Sequence, residues 1–287
     1  MDYREIDYRV EDGIATLTLN RPERMNAFTL RMKDELVDAF ARINDDDDVR
    51  VTVVTGSGKA FCAGIEMEAE GHIFGYDEAE GREPPIEQIR DSGGEVALAI
   101  YNAQKPVIAA INGAAVGVGI TMTLPMDFRL AGEGAKIGFV FAQRGIVPEA
   151  CSSWFLPRLV GMQQAAEWVY TGELFKAEEG ERAGLIRSVH PREQVLDAAY
   201  ELAGRIQANT SAVAVAFSRQ MLWRNPSFEH PKQAHAVDSR LMYLNAEFYD
   251  GRDGFTSFLE KREPVFDAKV SETVADGYPW WPEPPLR

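Results

Sequence analysis

Glu149 lies in the run GIVPEACSSWFL, residues 145–156, where few polar neighbours could solvate a charge. Desolvation of that kind raises the proton affinity of a carboxyl toward what a general base needs near neutral pH. Pro148 directly ahead predicts a helix beginning here, with proline in the first turn and the acid behind it. A helix N-terminus favours the ionised form, so the two influences oppose each other. An acid in that position is also an ordinary capping choice, and local pattern leaves base and cap equally open.

Other side-chain chemistries are thinner. No serine stands in Gly-x-Ser-x-Gly, so the nucleophile elbow of the hydrolases is absent. The histidines are His72, His190, His230 and His235; the last two are five apart with Pro231 between them, which is not the spacing of a helical zinc pair. All four read as structural or surface residues, and no metal site is expected. Cys62 and Cys151, the only cysteines, sit among small or apolar residues and read as packed rather than reactive. Two cysteines make no disulfide framework, which fits a reducing compartment. The four carboxylates at 45–48 are too tightly spaced for a calcium loop and read as a solvated turn.

Glycine-rich stretches invite nucleotide readings that fail on spacing. Around Gly56-Ser57-Gly58-Lys59 the residue five before Gly58 is Val53 and Lys59 is followed by Ala60, so the Walker pattern is not met. Gly117-Val118-Gly119 lacks the third glycine of a dinucleotide fingerprint, since residue 122 is methionine. What remains is backbone chemistry. Residues 107–126, VIAAINGAAVGVGITMTLPM, carry no charge and reach the length of about 18 to 20 residues that a membrane span requires. Asn112-Gly113 and Pro125 break the run, so the better parse is a buried strand over 107–111, a turn at 112–113 and a helix opening near 116–119. A helix start bare of side chains lets a ligand oxygen approach main-chain N–H groups, and the helix dipole favours negative charge there. Phe61-Cys62-Ala63-Gly64-Ile65-Glu66 is a second junction of the same design. Two such junctions could aim two amides at one point.

The elements that must hold these groups alternate. Residues 13–19 and 51–55 read as strands, Thr29 caps a helix to about 43, and 127–131 form another strand. From 163 onward the pattern is mostly helical: 163–171, 176–183, 192–207, 212–223, 233–248 and 254–261. The expected fold class is therefore α/β with a helical appendage. Residues 67–94, with five glycines and Pro84-Pro85, suit a pocket wall or a surface excursion. Residues 267–287 are too rich in proline for regular structure, yet Trp280 and Trp281 should dock on the protein or a neighbouring subunit. The formal charge of −15 excludes non-specific binding to nucleic acid or an acidic membrane surface, because phosphate contacts need an excess of cations. With no apolar leader at the N-terminus, a cytoplasmic protein is expected.

Three separated stretches, Phe61 to Glu66, Lys105 to Gly119 and Gly145 to Glu149, occur in the order found in the crotonase superfamily of enoyl-CoA hydratases and isomerases, which the chain resembles from about 8 to 266. The resemblance implies a spiral of ββα units with a C-terminal helical trimerisation region, and a homotrimer or dimer of trimers. Boundaries would fall at 1–205 for the spiral core, 206–266 for the oligomerisation helices and 267–287 for the tail. It also implies an acyl-CoA thioester substrate, with coenzyme A part of that substrate and no cofactor or metal needed. The thioester oxygen would be held by the backbone N–H groups of Ile65 and Val118. The adenine would lie on the backbone around Ala63, Gly64, Asn26 and Ala27, with Arg24 and Lys59 as phosphate partners and Phe258 and Lys261 reaching the nucleotide. Phe139, Phe141 and Trp154 would shape the acyl pocket.

At the positions where two-glutamate hydratases of this superfamily carry their acids, this chain has Thr121 and Phe141. Glu149 falls instead where single-glutamate Δ3,Δ2-enoyl-CoA isomerases carry their base. The resemblance therefore implies an enoyl-CoA isomerase. The alternatives are a hydratase drawing a second acid from Glu66 or from 67–94, and an acyl-CoA-binding protein without turnover.

Overall fold

The computed structural model describes residues 3–66 and 85–281. Most of the expected stretch 67–94, together with His72, therefore lies outside the described residues. Strands β1 (Ile6–Glu11), β2 (Ile14–Leu19), β3 (Val51–Gly56), β5 (Val107–Ile111), β7 (Phe128–Gly132) and β10 (Ser188–His190) form one sheet in the order β1-β2-β3-β5-β7-β10. Strands β4 (Ala60–Cys62), β6 (Ala114–Val116), β8 (Lys136–Gly138) and β9 (Leu174–Lys176) form a second, in that order. From β2 onward the first sheet is parallel, and only β9 runs antiparallel to its neighbour in the second. Each successive strand pair, β3 with β4, β5 with β6 and β7 with β8, sends its first member to the large sheet and its second to the small one. The chain thus winds as a spiral, and a parallel sheet covered on both faces explains why VTVVTG and VIAAI are apolar throughout.

Side chains alternate across β3 and β5. Val51, Val53, Ile108 and Ala110 point to one face, where Val195, Ala199 and Ala203 of α7 (Val195–Gln207) cover them. Val54, Val107, Ala109 and Ile111 point to the other, into a core shared with α1 (Leu30–Asp45), α2 (Ser92–Tyr101) and the small sheet. Thr29 caps α1 as expected, its side chain accepting from the Met32 amide at 3.0 Å.

The 107–126 run departs from its expected parse in one respect. After β5 and the turn, the chain first makes β6, and the helix α3 (Val118–Thr121) is a single turn. Among the described residues no helix is long and apolar enough to cross a membrane. The strand β1 was hidden by its exposure: five of its six residues are only partly covered or fully exposed. The acidic turn at 45–48 does more than meet solvent. Buried Lys105 donates to the carbonyls of Ile43 and Asp46, and Asp47 accepts from the Ser271 amide (3.0 Å) and hydroxyl (2.5 Å).

The remaining helices are α4 (Ser152–Val160), α5 (Met162–Thr171), α6 (Ala177–Arg182), α8 (Ala212–Arg224), α9 (Pro231–Phe248), α10 (Gly251–Glu260) and α11 (Val270–Gly277). The tail is thus partly regular, contrary to the expectation from its prolines. Val270 and Val274 bury against Val213, Phe217 and Leu241, and the Arg224 guanidinium lies 3.4 Å from the Trp281 ring centroid and 4.4 Å from that of Tyr101. The tail docks on its own protomer.

Arg219 of α8 ties this helical part to the spiral. Its guanidinium donates to Asp127 Oδ2 (2.8 Å) and to the carbonyls of Ile100 (2.9 Å), Tyr101 (3.2 Å), Ala103 and Pro125 (3.3 Å), and only 2% of its side chain is exposed. Arg219→Met would remove the donor shared by those carbonyls and break the ion pair to Asp127, which keeps the Val107 amide and the Trp223 indole N–H as donors. We expect a loss of about 3–5 kcal/mol, read as a lowered denaturation midpoint; an unchanged midpoint would show that the acceptors find other donors.

Candidate active site

Glu149 is placed by an irregular segment. The helix expected to begin at Pro148 starts only at Ser152, after Ala150 and Cys151, which both take the left-handed conformation at φ 54°. Glu149 therefore precedes the helix rather than occupying its first turn, and the expected pull of that helix dipole on its charge does not arise from the first turn. Burial dominates instead, and the carboxyl's pKa is pushed up from 4.5 to about 7. The Thr121 hydroxyl, donating to Oε1, opposes the rise, while the neighbouring carboxyl of Asp91 reinforces it by charge and by a hydrogen bond. Around them lie two thiols. Burial pushes Cys62 up to about 12 and also raises Cys151, with Glu149 adding to both, so neither is a ready nucleophile.

Asp91 is the residue that sequence reasoning did not single out. It is the N-cap of α2, with its Oδ1 accepting from the Gly94 amide at 2.6 Å and from the Ala150 amide at 3.0 Å. It thereby joins the start of α2 to the residue that follows Glu149. Gly93 permits the approach: a Cβ there would fall inside contact distance of Glu149 Oε2. The only signal in the sequence is Asp-Ser-Gly-Gly, a cap followed by two glycines, inside a stretch that otherwise reads as loop.

The two backbone junctions meet because β4 pairs with β6, Ala60 opposite Ala114 and Cys62 opposite Ala115. Beyond the strands the main chains touch. A Cβ on Gly117 would lie 3.9 Å from Gly64 Cα, and one on Gly119 would collide with the Cys62 carbonyl. In α3 the Ile120 and Thr121 amides both donate to the Gly117 carbonyl, at 3.0 Å each; the Val118 amide precedes them, where a helix offers no internal acceptor. On the other side, Phe28 N donates to Gly64 O (2.8 Å) and Glu66 N to Phe28 O (2.9 Å), a parallel bridge that turns the Ile65 amide away from Phe28.

The other expected site residues divide. The 25–28 and 63–66 segments are brought together: Ala63 N donates to Met25 O at 3.1 Å, and the fully buried Asn26 side chain donates to the Ser57 and Ala60 carbonyls at 2.8 Å each. Ala27 O accepts from the Arg21 guanidinium at 2.7 Å. Arg24 and Lys59 are exposed at this rim. Glu66 is held by Arg21 Nη2 at 2.5 Å and Arg24 Nε at 3.7 Å, an ion-paired carboxylate unsuited to be a second acid. Phe258 and Lys261 sit exposed at the end of α10, which packs on α9. Phe141 is buried beside 142–144. Phe139 belongs to the core, stacked with Trp168 and Phe175 at 6.0 and 6.3 Å. Trp154 meets Tyr101 and Phe155 edge-on, with Arg158 over its face at 3.9 Å. Among the described residues no group of three or more His, Cys, Asp or Glu could hold a metal ion.

This spiral, with two junctions closing on each other beside a buried carboxyl, matches known proteins along nearly its whole length. The model of the enoyl-CoA hydratase/isomerase family covers residues 9–269. An enoyl-CoA hydratase of Alternaria alternata is 44% identical over 93% of this chain and 87% of its own. The 1,2-epoxyphenylacetyl-CoA isomerase of Escherichia coli is 30% identical over 91% of this chain and 97% of its own. The crystal structure of enoyl-CoA hydratase from Bacillus anthracis superposes with a TM-score of 0.80 at 28% identity, covering 92% of this chain and 99% of that one. The chain belongs to the enoyl-CoA hydratase/isomerase family of enzymes.

Proposed function

We propose that this enzyme moves the double bond of a 3-enoyl-CoA thioester to C2. Ionised Glu149 takes a proton from C2, the amides of Ile65 and Val118 hold the negative oxygen of the dienolate, and the same proton returns at C4. Atoms balance with one carboxyl and no redox step. The observation that carries the reading is a glutamate whose pKa desolvation raises to about 7, with Thr121 and Phe141 standing where a hydratase of this family would place acids. A base matched to neutral pH works best because it is both ionised and strong enough. Each amide aimed at developing charge contributes on the order of 3 kcal/mol.

Hydration of a 2-enoyl-CoA is the second reading, favoured by the name of the Alternaria alternata relative. A paired assay separates them, using a 3-enoyl-CoA and a 2-enoyl-CoA of equal length. Conjugation with the thioester raises ultraviolet absorbance and hydration lowers it. A rise on the 3-enoyl substrate supports the isomerase; a fall on the 2-enoyl substrate without that rise makes the enzyme a hydratase. The exposed Met242, Tyr243, Phe248, Phe255 and Leu259 of α9 and α10 support assembly with further copies of the chain, as the expected trimer requires.

A further inference from the structure

Asp91 is tied down more firmly than a helix cap needs to be. Two backbone amides from different segments, Gly94 at 2.6 Å and Ala150 at 3.0 Å, converge on its Oδ1, which is how a carboxylate anion is satisfied. Its bond to the Ala150 amide sets the carboxyl beside Glu149, whose proton affinity it raises. Two carboxyl groups side by side repel when both are ionised, and a proton on either one lets it donate to the other. Thr121 donates to Oε1 of Glu149, and Gly93 leaves room against Oε2. Among the described residues, the thiols of Cys62 and Cys151, both raised, also feel the charge of Glu149. Arg90, next to Asp91 in the chain, turns its guanidinium to the carbonyls of Glu87 and Ile89 at 2.6 and 2.7 Å.

We propose that Asp91 is a positioning residue of this site, a carboxyl that shares one proton with Glu149 and fixes the orientation of the acid that carries it. The role rests on the reading of Glu149 as the base. While Glu149 is ionised, Asp91 is a second negative charge at its side, and taking the C2 proton relieves that repulsion. Once protonated, Glu149 can donate to Asp91, which keeps the proton directed and available for return at C4. No net proton is gained or lost by the pair over a turnover. A mere cap would give α2 stability and leave the titration of Glu149 where it is.

Asp91→Asn separates the two roles. The Asn Oδ1 still accepts from Gly94 and Ala150, while its Nδ2 donates to ionised Glu149 and favours that form. The acid limb of kcat/KM against pH on a 3-enoyl-CoA should move down by at least about one pH unit, a tenfold loss of proton affinity. The rate should then fall several-fold at pH 8 and exceed that of the unchanged protein near pH 5. The carboxyl signal that disappears in Glu149→Gln, followed by carbon-13 NMR without substrate, should move likewise. Asp91→Ser, which keeps a capping oxygen but no charge, should move it in the same direction by less, and serves if Asp91→Asn fails to fold. A limb and a signal unmoved in the folded variants would overturn the role of Asp91 and leave the isomerase reading standing. A signal that moves in a protein inactive on 3-enoyl-CoA would support the pair and overturn the isomerase reading.

Discussion

Glu149→Gln removes turnover and, above neutral pH, makes the folded protein more stable. The first effect follows from chemistry: an amide cannot take a proton from C2, and loss of a general base costs about 10²–10⁴ in rate. The second follows from burial. The folded state raises the pKa of this carboxyl from 4.5 to about 7, so it favours the protonated acid. That preference is fully present below about pH 4.5, where the group is neutral folded and unfolded alike, and is lost as pH rises through 7 and the buried group must ionise. At pH 8 the ionised group therefore costs about 3 kcal/mol relative to its cost in acid. Glutamine has no such cost, and its amide can donate toward Asp91. The variant should accordingly melt several degrees higher than the unchanged protein at pH 8, with the gap closing toward pH 5. Retained activity would remove Glu149 from the mechanism, and a pH-independent gap in melting temperature would mean that it is not the buried ionising group.

Gly119→Ala is expected to separate the two amides that face the thioester. The glycine lies in α3 one residue beyond Val118, and its Cα rests directly on the Cys62 carbonyl; the carbonyl carbon would be 2.9 Å from an added Cβ and the Cys62 Cβ 3.0 Å. Those neighbours are backbone and core, with nowhere to yield, so the junctions must part. Val118 moves with one and Ile65, three residues after Cys62, with the other. Losing alignment of one donor costs about 10²–10³ in kcat. KM should change far less, since the dienolate oxygen carries its charge only as the reaction proceeds. The check is kcat and KM of the variant beside the affinity of a saturated acyl-CoA. Activity within threefold of the unchanged enzyme would mean that the geometry of 117–121 does not set the rate.

Much of this was legible from residue types. Parallel strands buried on both faces leave continuous β-branched runs, so β3 and β5 stood out. Glu149 stood out because an acid among apolar residues is anomalous. Less visible were features that depend on contact at a distance in sequence. β1 is an exposed edge, and β9 and β10 are three residues each, too short for periodicity to register. The start of α4 moved from 148 to 152 because two residues take the left-handed conformation, which Ala150 and Cys151 do not advertise. Asp91 was concealed for the same reason: its partners are Ala150 and Glu149, 59 residues away in the first case.

The docked tail has an optical consequence. Trp281 meets Arg224, Arg224 meets Tyr101, and Tyr101 meets Trp154 and Trp223 at 5.8 and 6.2 Å. Trp154 is in α4, which begins three residues past Glu149. Four of the five tryptophans in the chain, 154, 223, 280 and 281, thus belong to one aromatic chain running from the C-terminal segment to the helix behind the base. Their emission reads both ends together, so a quenching or spectral shift on adding acyl-CoA registers movement of α4 in unlabelled protein, and a chain shortened after Gly277 shows how much of that signal the tail contributes.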